Sequence, residues 1–113
     1  MMDDTCKYKI LDQSEIGSVS ACKNCRNLKI EIGSLLALIS RKSFIEILDD
    51  FLRRRAQYLE DLEEDMAPDR VIICLNNNNL FLNMTPNEFD DLIDLFELSA
   101  HMLEVDEIFD LTE

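Results

Sequence analysis

The chain has 113 residues, 47% of them hydrophobic, with 24 acidic against 11 basic side chains and a formal charge of −13. That length holds one domain around one core, here residues 1–113, and the apolar content is that of a folded protein rather than a disordered one. A net charge of this sign repels a phosphate backbone, so nucleic acid is not an expected partner.

The first ten residues, MMDDTCKYKI, contain two acids and no apolar segment, so a signal peptide is not expected. The longest apolar runs, LLALI and VIICL, are far too short to span a bilayer. A cytoplasmic protein without membrane contact is therefore expected. Thiols stay reduced there, and disulfides do not account for the four cysteines.

In chain order, KYKILDQ sets Tyr8 and Ile10 among polar neighbours, a weak strand signal. Over residues 18–32, Val19 leads into a Cys22-x-x-Cys25 turn, after which Leu28, Ile30 and Ile32 alternate with Lys29 and Glu31. Period 2 with one apolar face predicts a half-buried strand. Gly33-Ser34 breaks it, and LLALI reads as a further strand or as a continuation beyond a bend. From Ser43 the period changes: Phe44, Ile47, Leu48, Phe51 and Leu52 fall at helical spacing, and Leu59 and Leu62 continue the stripe. Ser40 or Ser43 can cap this helix, which should end near Glu64, ahead of Ala67-Pro68. Within it, Arg53-Arg54-Arg55 precedes an acidic run and reads as an ion-paired helix surface.

VIICL (71–75) and LFLNM (80–84) predict a hairpin about the Asn76–Asn79 run, because asparagine tolerates left-handed backbone angles. Thr85-Pro86-Asn87-Glu88 then opens a second helix. Threonine suits the cap, proline the first helical position, and glutamate the position three past the cap. The two halves align: Val19, Cys22, Asn24 and Leu28 correspond to Val71, Cys74, Asn76 and Leu80, and Phe44 and Phe51 to Phe89 and Phe96. The expected fold is α+β, with two hairpin-plus-helix units (18–64 and 70–111) contributing to one antiparallel sheet and both helices packed on it.

On a helical projection of the second helix, Phe89, Leu92, Ile93, Phe96, Ala100 and Leu103 fall on one side. Leu95, Leu98, Met102, Val105 and Phe109 fall on the other, at the 3-4-3-4 spacing of a packing seam. A helix resting on a sheet needs only one apolar stripe. The second meets the first helix, another protein, or a second copy in a two-fold homodimer.

A Cys-x-x-Cys turn is also a geometry used by structural zinc, which takes four ligands. Only one such pair is present, so other ligands would come from Cys6, Cys74 or His101, with Cys6 favoured because its strand can lie beside the turn. A thioredoxin-like pair wants a helix directly after the motif, and here a strand follows Cys25. Catalysis has little to stand on: there is one histidine, and no Gly-rich phosphate loop, nucleophile elbow or zincin pattern.

Cys6, Gly17 and Cys22-x-x-Cys25 ahead of Leu28-x-Ile30-x-Ile32, with a helix led by Phe44, a later hairpin and a Glu-rich last helix, form an order that resembles a family of small uncharacterised bacterial proteins. The family has no assigned activity, so the resemblance implies no reaction, substrate or cofactor. It does imply that Cys6, Cys22 and Cys25 belong together as a set. The expected function is non-catalytic, self-association or the binding of another protein. A zinc-stabilised module is the alternative, and a small ligand-binding protein or enzyme with an unrecognised site is the third reading.

Overall fold

Strands β1 (Tyr8–Ser14), β2 (Gly17–Cys22), β3 (Asn27–Ile32) and β4 (Leu35–Ser40) run up and down in one antiparallel sheet, in sequence order. Helix α1 (Arg41–Glu63) follows directly, then the hairpin β5 (Val71–Leu75) and β6 (Leu80–Met84), then helix α2 (Pro86–Thr112). This is the arrangement in a computed structural model, which describes residues 7–64, 69–75 and 80–112. Neither helix is long and apolar enough to cross a membrane.

The mixed α+β class with antiparallel pairing is the expected one, but the division of the strands differs. LLALI is a separate returning strand: all six residues of β4 pair with β3, from Ile32 opposite Leu35 to Asn27 opposite Ser40. The reversal is two residues long, with Gly33 first at φ 58°, the left-handed angle that type II′ hairpins give to glycine. With β1 added on the other side, the first unit is a four-stranded meander rather than a hairpin. Among the described residues, β5 and β6 form a two-stranded sheet of their own instead of joining it. Both faces of LLALI are apolar, so alternation could not reveal that it pairs on its own account. Once it does, β3 is paired on both sides and β4 becomes an edge of the sheet.

Helix α1 starts where expected. The Ser40 hydroxyl accepts from the Ser43 amide at 3.1 Å, which satisfies one of the open N–H groups of the first turn. At α2 the capping box closes in both directions. The Thr85 amide donates to Glu88 Oε1 at 2.9 Å, and the Glu88 amide donates to Thr85 Oγ1 at 3.2 Å. Hydrogen bonding to the carboxylate, first from the Thr85 backbone amide and then from the Thr85 side chain, lowers the Glu88 carboxyl below its ordinary value of 4.5, and the Arg70 charge acts in the same direction.

The core lies between the sheet and the two helices. Val19, Leu28 and Ile30 meet Phe44, Phe51, Phe89, Leu92, Ile93 and Phe96, all nearly or fully enclosed. Four phenylalanines seam the helices together. Phe44 stacks on Phe96 with centroids 4.8 Å apart, and Phe51 meets Phe96 at 5.2 Å and Phe89 edge-on at 5.9 Å, separations at which aromatic pairs attract. The hairpin turns Ile73 and Met84 inward, while Ile72 and Phe81 on its other face stay exposed. The arginine run is ion-paired helix surface: Arg54 bonds Asp50 at 2.9 Å, Arg53 lies 3.9 Å from Asp50, and Arg55 crosses to Glu97 on α2 at 3.4 Å.

Candidate functional site

Two features from the sequence bear on function: the cysteine turn and the second apolar stripe of α2. The turn links β2 to β3. Cys22 is the last residue of β2 and fully enclosed, whereas Cys25 is exposed. The Cys25 amide donates to Cys22 Sγ at 3.5 Å, and the Arg26 amide donates to the Cys22 carbonyl at 3.1 Å. Arg26 takes up a left-handed backbone angle, φ 60°, which lets the chain re-enter the sheet at Asn27. Among the described residues, no group of three His, Cys, Asp or Glu side chains is placed to hold a metal ion. Cys6, the third member of the expected set, lies outside the described residues. Cys74 is on β5, paired with Phe81, and His101 is on an exposed part of α2.

The stripe on α2 divides. Leu95 is 1% exposed and belongs to the core, and the half-buried Met102 packs against that core. Leu98 is 54% exposed and Val105 is half-buried. The Phe109 side chain lies outside the described residues. The reason for the division is the number of neighbours: α2 touches β1 and β2 on one flank, α1 on the other, and β6 near its start. At about 100° per residue, enclosing Leu95, Ser99, Leu92, Leu103, Phe96, Phe89 and Ile93 takes an arc of roughly 160°, wider than a stripe resting on one surface. Ser99 sits inside this arc, fully enclosed, because its hydroxyl donates to the Leu95 carbonyl at 2.7 Å. Leu95 is thus closed off within the chain. Leu98, with the partly exposed Met102 and Val105, remains as the outer flank.

Sequence periodicity missed a third feature, the face of the sheet turned away from the helices. Leu36 and Leu38 on β4 and Ile10 on β1 are about half exposed there. Their pairing partners on the same face are polar: Glu31 opposite Leu36, Lys29 opposite Leu38, and Ser20 opposite Ile10. The signal that could have found it is the polar alternate set of β3, read across to β4.

No curated protein and no solved structure matches this chain. A family model does, over residues 2–112, and its description is a family of unknown function, DUF6686. With nearly the whole sequence matched, the chain belongs to that uncharacterised family.

Proposed function

We propose that the protein is a non-catalytic interaction module that associates with a second copy of itself through the outer flank of α2. One observation carries the reading: Leu98 is 54% exposed in the middle of a helix whose inner arc is already fully occupied. Met102 and Val105 lie one and two turns further on the same side, at the 4-3 spacing of a helix-to-helix seam. Two such helices brought together about a two-fold axis would cover each other's flank. The formal charge of −13 on each copy opposes this. At physiological salt the Debye length is about 8 Å, so exposed charges further apart than that repel only weakly. The test is the mass in solution by sedimentation. The wild type should be dimeric, and Met102→Glu should be a folded monomer. A monomeric wild type would assign the flank to a different protein partner or to none. Unfolding of Met102→Glu would mean that the residue serves the internal core alone.

A second reading, a zinc-stabilised module with Cys6, Cys22 and Cys25 as ligands, draws on the amide-to-sulfur bond at Cys22. Structural zinc supplies much of the folding energy of a small domain. On this reading a chelator should lower the melting temperature sharply in the wild type and leave Cys22→Ser unchanged. No shift in either protein would dismiss it.

A further inference from the structure

The charge of the chain is unevenly placed. Residues 43–112 carry 18 acidic and four basic side chains, whereas segments 7–11, 18–30 and 35–45 carry seven basic residues and no acidic one. The strand register brings those three segments to one end of the four-stranded sheet. Tyr8 lies opposite Cys22 and Asn27 opposite Ser40, so the start of β1, the β2–β3 turn and the junction of β4 with α1 are neighbours. Lys7, Lys23, Arg26 and Lys42 are all exposed at that end. Four strands at about 4.8 Å spacing make the end roughly 15 Å wide. Glu15 stands in the β1–β2 turn, at the opposite end.

Two exposed aliphatic side chains adjoin the cations, at the ends of a row that is polar between them. Ile10 pairs with Ser20, Ser20 with Lys29, and Lys29 with Leu38, one line straight across the face turned away from the helices. Ile10 is 56% exposed and Leu38 48%. Lys29 sits in the middle of the row, 3.4 Å from Glu31 and 4.7 Å from the centre of the Tyr8 ring.

We propose that this basic end and the row beside it form a docking surface for an acidic, amphipathic polypeptide segment of a partner protein, distinct from the α2 flank. Charge complementarity carries the assignment: clustered cations attract carboxylates and steer their approach, and the half-exposed Ile10 and Leu38 offer two separate apolar anchors. A nucleic acid fits the surface less well. Single strands are held by stacking on exposed aromatic rings, and the one ring at this end, Tyr8, already has the Lys29 ammonium over it. The strongly negative remainder of the chain also repels a polyphosphate more than a peptide of lower charge density.

The experiment is fluorescence anisotropy on the whole protein with a short labelled peptide alternating glutamate and leucine. Poly-glutamate and an oligothymidylate of equal length serve as competing probes. The peptide should bind and weaken as salt is raised. Lys23→Glu combined with Lys42→Glu should weaken it at least about tenfold; the pair leaves the left-handed Arg26 in place and lies away from the α2 flank. Leu38→Ser should weaken the peptide but not poly-glutamate. The proposal is overturned if the wild type shows no salt-sensitive peptide binding, if the double variant, folded by circular dichroism, binds undiminished, or if the oligothymidylate binds more tightly than the peptide. Monomeric wild type in the sedimentation test would leave this surface unaffected, so the two proposals fail separately.

Discussion

Leu95 and Leu98 are one turn apart on α2, and replacing each by alanine should produce opposite kinds of loss. Leu95 is 1% exposed, and a buried leucine cut to alanine loses its transfer energy and leaves a cavity, about 2–5 kcal/mol together. Taking about 3 kcal/mol and the average unfolding entropy per residue, the melting temperature should fall by roughly 12 °C for a chain of this size. Leu98 is 54% exposed, so Leu98→Ala should leave the stability of the single chain within about 0.5 kcal/mol. Its effect should appear in association instead. Covering the exposed half of a leucine stabilises by about 1 kcal/mol, and a two-fold interface contains two of them, so the dimer should weaken by roughly 30-fold. Thermal denaturation at high dilution isolates the first effect, and sedimentation over a concentration series isolates the second. Equal falls in melting temperature for the two variants, or a neutral Leu95→Ala, would show that α2 does not turn Leu95 inward and Leu98 outward, and would refute an associating flank on this helix.

Gly17→Ala should destabilise by roughly 1–3 kcal/mol, because a Cβ there would run into the Glu31 carbonyl oxygen and lie 3.1 Å from Ile32 Cα, and paired backbone cannot yield as a side chain can. Gly33→Ala is the control: its surroundings are open and only the φ of 58° opposes the substitution, so the loss measured by urea denaturation should be about 1–2 kcal/mol and of conformational origin. The depressed carboxyl of Glu88 predicts an acid-sensitive helix start. A group whose folded pKa is lowered contributes stability above its unfolded value and loses it as pH falls through the folded one. Stability should therefore decline from just below pH 4.5 downward, and Glu88→Gln, which keeps the hydrogen-bonding oxygen without the charge, should flatten that part of a stability-against-pH curve.

Local features of the sequence determined the elements themselves. The alternation of Leu28, Ile30 and Ile32 marked β3, the helical spacing from Phe44 to Phe51 marked α1, and Thr85-Pro86-Asn87-Glu88 located the start of α2 to the residue, because each depends on neighbours within one or two turns. Partnership between elements was decided only by tertiary structure. Whether LLALI extended a strand or paired back on β3, and whether the hairpin of β5 and β6 joined the first sheet, turned on which strands share hydrogen bonds, which the pattern within a single strand does not contain. Leu95 entered the core because α2 is enclosed from three sides, a count of neighbours that helical periodicity does not contain. The basic end of the sheet likewise exists only in three dimensions: its lysines and arginines are spread over 36 residues in a chain of strong net negative charge, and antiparallel register is what brings them together.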